Sequence, residues 1–125
     1  MIHLDTSFLI RGFVAGTLEH ARVRRWLGGR EPVGLSSIAW AEFLCGPVPS
    51  QVVEEIAEAL GEPRPFDGGD ATLAAELFNL GGRRRGHFAD CMIAASAIRA
   101  HAVLATSNVA DFRRFEPHGL VIESP

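Results

Sequence analysis

Three of the most apolar segments of this sequence each contain a single acidic residue, and this pattern constrains the chain more than any other feature. Asp5 lies among apolar residues near the start of the chain and is followed directly by two hydroxyl residues. Glu42 is the only charged residue in 38–45, and Asp90 is the only acidic residue in 86–98. Ionised carboxylates are rarely buried unless they are paired or bound to a metal ion. We therefore expect these three acids to have a specific role.

The length and charge of the chain narrow the choice of fold and partner. A chain of 125 residues predicts a single domain over 1–125, whose core can bury roughly two thirds of the unfolded surface. The formal net charge of −3 gives no overall attraction to nucleic acid, so any such binding must come from local patches. All 12 basic residues are arginines, and the absence of lysine excludes Schiff-base chemistry and a P-loop.

Neither the cysteines nor the apolar segments indicate that the protein is secreted or inserted into a membrane. Cys45 and Cys91 lie in apolar helical patterns, which predicts two buried thiols in a reducing compartment. No charged segment precedes the first apolar run, and no apolar stretch reaches about 18 residues. We expect a cytoplasmic protein that does not enter the membrane.

Short apolar segments alternate with amphipathic ones along the chain. The apolar segments predict strands over 2–5, 33–36, 102–105 and 120–122. Ser37, Ser50 and Asp70 are predicted to cap helices, and 62–66 is a candidate edge strand that its two prolines weaken. This alternation predicts an α/β fold with a parallel sheet.

The predicted topology brings the three acids together. Asp5 and the segment 106–108 each follow a strand, and binding sites in parallel sheets form beyond the carboxyl ends of the strands. Glu42 and Asp90 fall within the first turns of the helices that follow the loops. We therefore expect one acidic pocket, built from residues far apart in the sequence.

The chemistry of such a pocket favours a divalent cation. Three carboxylates in one pocket repel each other and raise one another's pKa values. Oxygen-only ligands favour magnesium, with manganese as a substitute, over zinc. Magnesium keeps several waters, so one or two carboxylates with further acids behind them suffice. This arrangement suits the hydrolysis of phosphodiester bonds.

Four sequence motifs together resemble those of a PIN-domain ribonuclease of the VapC type. They are IHLDTS at 2–7, SIAWAEFLCG at 37–46, DCMIAASAI at 90–98 and LATSNVADF at 104–112. Their order and spacing fit, and the resemblance extends over essentially the whole chain. It implies a PIN-like three-layer fold with a short, mostly parallel central sheet and helices on both faces.

The resemblance also implies an activity and a set of site residues. It implies a magnesium-dependent endoribonuclease, the toxin of a bacterial type II toxin–antitoxin pair, which cuts transfer RNA or other structured RNA and leaves 5′-phosphate ends. Asp5, Glu42 and Asp90 would hold the metal. Asn108 would complete the catalytic set at a position where many relatives have a fourth acid. Asp111 is the alternative fourth acid.

The implied partners are an RNA substrate, a protein antitoxin that covers an apolar groove and the active site, and a second copy of the chain in a homodimer. Thr6 and Thr106 are predicted to orient the carboxylates through their hydroxyls. Arg83, Arg84 and Arg85 form a basic loop, which is equally compatible with contact to RNA phosphates and with a solvated surface.

Each of these residues also has a purely structural interpretation. Taken singly, Asp5 is compatible with a helix cap, Glu42 with a buried acid paired to arginine, and Asp90 with a charge at a helix N-terminus. His87 would share the helix face of Asp90, although a solvated or capping histidine is favoured, and His3 is interpreted as a core residue. The convergence of three acids favours the functional interpretation.

Two other protein classes are alternatives to the nuclease. A catalytically weak or inactive PIN-like binding module is the alternative, and the amide at Asn108 is the feature in its favour. A phosphoacceptor receiver domain has a similar length and an acidic pocket. It needs paired acids after the first strand and a lysine near the last, and this sequence has neither.

Overall fold

A four-stranded parallel sheet forms the centre of the computed structural model, which describes residues 1–125. The strands are β1 (Ile2–Leu4), β2 (Val33–Gly34), β3 (Val103–Ala105) and β4 (Val121–Glu123). Their order in the sheet is β2-β1-β3-β4, and every neighbouring pair is parallel. The predicted α/β class with a mostly parallel sheet is confirmed.

Seven α-helices and one 3-10 helix accompany the strands. They are α1 (Thr6–Gly12), α2 (Leu18–Gly28), α3 (Ser37–Leu44), α4 (Ser50–Leu60), α5 (Gly68–Leu80), α6 (Phe88–Arg99), α7 (Val109–Phe112) and the 3-10 helix (Arg113–His118). None of them is long and apolar enough to cross a membrane.

The order of the strands determines which elements meet at the site. The chain leaves β1 towards β2 at one side of the sheet and leaves β3 towards β4 at the other. Because crossovers between parallel strands are right-handed, the helices between β1 and β2 lie on the opposite face from those between β2 and β3. The crevice between the ends of β1 and β3 is therefore the switch point where parallel sheets bind ligands.

The hydrophobic core is one cluster of 22 buried residues contributed by both the sheet and the helices. β1 is buried along its whole length, and α6 buries six of its residues. His3 lies inside β1 and is only 3% exposed, as predicted for a core histidine. Burial, with the nearby charge of Arg64, lowers the pKa of His3 to about 4, so this ring is neutral at physiological pH.

Two of the predicted helix caps are displaced by one residue. The cap of α3 is Ser36 instead of Ser37, because Ser36 keeps an extended backbone and its hydroxyl accepts a hydrogen bond from the Ala39 N–H group at 3.0 Å. Ser50 is the first residue of α4, and the cap position before it is Pro49, which makes no side-chain capping bond.

The third predicted cap, Asp70, is also wrong as stated. Asp67 caps α5, and Asp70 is the third residue of the helix. The two carboxylates form a reciprocal capping box, in which each accepts a hydrogen bond from the backbone N–H group of the other residue. Asp70 therefore stabilises the helix start from inside the helix.

Two further predictions were wrong for local reasons. The segment 62–66 makes only an isolated bridge between Arg64 and Ser36, because the flanking prolines lack the N–H groups that a longer ladder needs. Cys45 is exposed because it lies beyond the last residue of α3, at the helix C-terminus. Cys91 is buried, as predicted.

Candidate active site

An open cleft of about 230 Å³ lies at the switch point and contains the acids that the sequence singled out. Its lining consists of Asp5, Thr6, Ser7, Ile10, Glu42, Asp90, Ile93, Asn108 and Phe112. Four parts of the chain supply these residues: the junction of β1 and α1 with α1 itself, then α3, then α6, and last the segment after β3 together with α7. The structure thus brings together Asp5, Glu42, Asp90 and Asn108.

Asp5 is the most enclosed acid of the cleft, with only 2% of its surface exposed. Its Oδ1 atom accepts hydrogen bonds from the Phe8 N–H group at 2.8 Å and from the Ser7 hydroxyl at 2.7 Å. Its Oδ2 atom accepts a short hydrogen bond from the Thr106 hydroxyl. The helix-cap interpretation of Asp5 is therefore confirmed, since Oδ1 caps α1, while Oδ2 faces Thr106 at the end of β3.

No cationic side chain forms an ion pair with Asp5. Burial is the largest effect on this carboxyl and raises its pKa. The three hydrogen bonds favour the charged form and oppose that rise, while the negative charge of Glu42 adds to it. The pKa of Asp5 remains above its ordinary value, which means that the folded protein has not fully compensated this charge.

Glu42 lies in the second turn of α3 and is exposed to solvent. Its Oε1 atom accepts a hydrogen bond of 2.6 Å from the Thr6 hydroxyl. Thr6 therefore orients Glu42, as the sequence predicted for a supporting hydroxyl. The arginine-paired interpretation of Glu42 is wrong, because no arginine lies within ion-pair distance.

Asp90 is the third residue of α6 and is partly buried at the cleft wall. Burial is the main cause that raises its pKa to about 6, and the negative charge of Asp111 is the next. Arg114 and His87 act in the opposite direction without cancelling the shift. The Nδ1 atom of His87 is 3.7 Å from Oδ2 of Asp90, so this contact is too long for a hydrogen bond.

The two candidates for the fourth site residue occupy different places. Asn108 lines the cleft, and its backbone N–H group donates a hydrogen bond to the Thr106 hydroxyl at 2.9 Å. Asp111 is exposed on α7 outside the cleft lining, where its charge still reaches Asp90. The position of Asn108 therefore suits direct contact with a ligand, whereas Asp111 acts from a distance.

The basic loop lies directly before α6. Arg83, Arg84 and Arg85 are all exposed. Arg84 also borders a very small pocket with His87 and Arg114, whose Nη1 atom is 3.2 Å from Nδ1 of His87. Positive groups therefore lie beside the acidic cleft, on the side of Asp90.

The donor atoms of the cleft fit a hard divalent cation. Oδ1 of Asp5 already accepts two hydrogen bonds, but Oδ2 accepts one and retains a free lone pair. Asp90 has no short hydrogen bond, and Oε2 of Glu42 is unengaged. No three acidic, histidine or cysteine side chains lie close enough together to form a complete ligand set. Magnesium or manganese fits these oxygens because it retains several waters.

Sequence reasoning missed three residues around the cleft. Ser7 bonds to Asp5, Arg114 approaches His87, and Glu19 is buried beneath the segment after β3. Glu19 had a recognisable signal, since it is the only acid between Asp5 and Glu31. The surrounding arginines of α2 made it resemble an ordinary surface charge. Arg114 had no comparable signal.

The sequence of this chain matches the model of a known domain family. The model of the PIN domain family matches residues 2–116. The chain belongs to the PIN domain family, which confirms the resemblance that the four motifs carry. No curated protein matches the sequence significantly.

Solved structures with similar folds come from bacterial two-protein complexes. A chain of VapBC2 from Rickettsia felis, bound to a DNA fragment from its promoter, is 23% identical with a TM-score of 0.78; the match covers 100% of this chain and 99% of that one. A chain of DNA-bound VapBC from Salmonella typhimurium is 23% identical over 98% and 96% of the two chains, with a TM-score of 0.73. FitAcB from Neisseria gonorrhoeae contains a chain 26% identical over 98% and 96%, with a TM-score of 0.69.

Proposed function

We propose that this protein is a magnesium-dependent endoribonuclease and the toxin of a toxin–antitoxin pair. The observation that carries the proposal is the cleft itself. Two of its carboxyls, Asp5 and Asp90, have raised pKa values, and Asp5 has no internal cation beside it. Membership of the PIN domain family supports the assignment to phosphodiester hydrolysis.

Each residue of the cleft has a different proposed role. Asp5 and Asp90 would hold the cation, which would supply charge stabilisation at the phosphate and would lower the pKa of water. Glu42 orients the attacking water through its free Oε2 atom, since Thr6 fixes Oε1. Thr106 and Ser7 keep the Asp5 carboxylate in one orientation. Asn108 contacts the substrate or completes the coordination through its amide oxygen.

RNA is the substrate that the surroundings of the cleft favour. The exposed Arg83, Arg84 and Arg85 lie in the loop directly before the helix that carries Asp90, and they offer local positive charge in a chain whose net charge is −3. Contacts to phosphates would supply affinity without sequence preference. We propose structured RNA, such as transfer RNA, as the target, cut to leave 5′-phosphate and 3′-hydroxyl ends in the cytoplasm.

A protein antitoxin is the proposed partner. An apolar groove of about 300 Å³ adjoins the acidic cleft and shares Ile10 and Glu42 with it. The rest of its lining includes Val14, Phe43, Pro47, Val48 and Val52. Chains of similar fold occur in complexes named VapBC and FitAB, which supports a pair of this kind. We also propose a homodimer.

The proposal is tested by incubating purified, partner-free protein with total cellular RNA in the presence of magnesium or EDTA. Discrete fragments are expected with magnesium, none with EDTA, and none from Asp5→Ala under either condition. Glu58→Gln is the matched control, because it removes an exposed acid of α4 that lies outside the cleft lining, and it should retain cleavage. Fragments that persist in EDTA or in Asp5→Ala would contradict the proposal.

A catalytically inactive PIN-like binding module is the second candidate. Two observations favour it: the uncharged amide of Asn108 and the absence of three closely grouped metal-binding side chains. Folded protein that binds RNA but yields no fragments with magnesium or manganese would support this candidate. Fragments that depend on magnesium and on Asp5 would exclude it.

A further inference from the structure

Glu19 is a buried acid outside the cleft that none of the proposed chemistry uses. It lies in the first turn of α2 and is only 4% exposed. Its Oε1 atom accepts hydrogen bonds from Nε of Arg11 and from the Ser107 hydroxyl, both at 2.8 Å. Its Oε2 atom is buried and has no hydrogen-bond partner.

Ser107 connects Glu19 to the cleft. It lies between Thr106, which bonds to Asp5, and Asn108, which lines the cleft. The Ser107 hydroxyl donates to Glu19, while its backbone N–H group donates to the Ser7 hydroxyl at 3.1 Å. Hydrogen bonds therefore link Glu19 to Ser107, Ser107 to Ser7, and Ser7 to the Asp5 carboxylate.

The segment 106–108 needs such an anchor because its own backbone is short of partners within the sheet. β3 ends at Ala105, and α7 begins only at Val109. Within the segment, one N–H group bonds to Glu123 of β4, and the next two bond to hydroxyls. Residues so placed depend on side-chain contacts for their orientation.

We propose that Glu19 is a positioning residue that acts through Ser107 to hold Thr106 and Asn108 in place against Asp5. The proposal rests on the proposed nuclease function for its catalytic consequence. Its structural part, the fixing of the segment 106–108, is measurable without any activity. Glu19 reaches the substrate only through this segment, so its loss should affect turnover more than substrate binding.

The geometry of Glu19 provides its own control substitution. Both hydrogen bonds of the carboxylate fall on Oε1, while Oε2 has none. Glu19→Gln can therefore place its amide oxygen at the Oε1 position and keep the bond from Ser107. Glu19→Ala removes that acceptor, and Ser107→Ala removes the donor with the loss of a single oxygen atom.

The first measurement is amide hydrogen exchange of Ser107 and Asn108 in metal-free protein. We expect exchange to accelerate about tenfold or more in Glu19→Ala and in Ser107→Ala, no further in the double variant, and little in Glu19→Gln. Glu123→Ala is the matched control, because it removes the side chain whose 2.7 Å ion pair with Arg22 ties α2 to β4. It should leave both amides protected.

The second measurement is the rate of RNA cleavage by the same variants. We expect kcat to fall about tenfold in Glu19→Ala and Ser107→Ala with KM changed less than about twofold, and to be largely retained in Glu19→Gln. Three results would each overturn the positioning role. They are additive losses of kcat in the double variant, unchanged hydrogen exchange in Ser107→Ala, and unchanged kcat in variants whose exchange is faster. Wild-type protein without activity would refute the nuclease, and hydrogen exchange alone would then decide the structural part.

Discussion

Asp5 and Asp70 are two buried aspartates with opposite surroundings. Both lie at the start of a helix, and they are 2% and 0% exposed. Asp70 contacts Arg64 at 2.7 Å and Arg99 at 2.8 Å. Asp5 receives hydrogen bonds from two hydroxyls and one amide, and it has no ion pair.

The pKa values of these two acids diverge as a result. Burial acts first on both and favours the neutral form. At Asp70 the hydrogen bonds and charge of Arg64, together with Arg99 and the Asp67 amide, outweigh burial and lower the pKa. At Asp5 the hydrogen bonds do not outweigh burial, and the pKa rises.

We interpret Asp70, which is paired with arginines, as a structural acid, and Asp5, which has no ion pair, as an acid that binds a ligand under the proposed function. The fold supplies the cation for Asp70 from its own arginines, so the charge is compensated once the chain has folded. The fold supplies Asp5 with orientation but with no positive charge. Under the proposed function, a cation from solution would compensate the charge of Asp5 and that of Asp90, whose pKa is also raised.

The largest expected effect is the loss of RNA cleavage when Asp90 is substituted, compared with the exposed control acid Glu58. Asp90→Asn should lower the rate of RNA cleavage by about a thousandfold, because a carboxylate that holds the cation is lost. The free energy of unfolding without divalent cations should stay equal or increase, since an uncompensated charge is removed. Glu58→Gln should retain cleavage, and unchanged activity in Asp90→Asn would remove Asp90 from the catalytic set.

The opposite outcome is expected for Asp70. Asp70→Asn should lower the free energy of unfolding by about 3 kcal/mol, because it leaves Arg64 and Arg99 without their shared buried acid. Cleavage per folded molecule should not change. Urea unfolding measures the first effect, and Asp67→Asn, at an exposed partner of Arg99, should cost less. A loss below about 1 kcal/mol in Asp70→Asn would contradict the structural role.

The pH dependence of stability should reveal the uncompensated charge of Asp90. Its pKa rises from the ordinary 3.8 to about 6 on folding, so between these values the folded state binds more protons than the unfolded state. The contribution of Asp90 to stability is therefore full below about pH 4 and is lost as the pH rises through about 6. The melting temperatures of wild type and Asp90→Asn, measured in EDTA and plotted against pH, should diverge in this window. Parallel plots would contradict the raised pKa of Asp90.

The smallest expected effect concerns the fourth site residue. Asn108→Asp adds a charged oxygen ligand to the cleft lining, and should tighten manganese binding by about tenfold. It should also lower the stability of the metal-free protein, because it adds repulsion to Asp5 and Asp90. Titration calorimetry with manganese measures the affinity. Weaker binding would show that the side chain at 108 is not a metal ligand.

Much of the fold could be predicted because the deciding signals are local. Short apolar segments at 2–5 and 102–105 are too short for helices, and the polar residues that follow them mark the carboxyl ends of strands. The lone acids of three apolar segments then fell at one edge of a parallel sheet. The predicted helix caps were wrong where two nearby residues can both cap the helix. At α5 the cap is Asp67, and Asp70 lies inside the helix.

The supporting residues of the site could not be predicted, because their partners are distant in sequence. Glu19 and Ser107 are 88 positions apart, and nothing in a single sequence links them. Arg99, one of the two arginines that compensate Asp70, is 29 positions from it, so the sequence around Asp70 does not by itself distinguish it from Asp5. Only the three-dimensional arrangement shows which acid has a cation and which has none.

Mapping manganese by NMR would test this distinction most directly. Substoichiometric manganese should broaden the backbone amide signals of Phe8 and Asn108, which lie at the cleft, and should leave that of Asp70 sharp. The selective broadening should disappear in Asp90→Asn. Uniform broadening, or loss centred on Asp70, would contradict the claim that the Asp5 cleft is the site that takes its cation from solution.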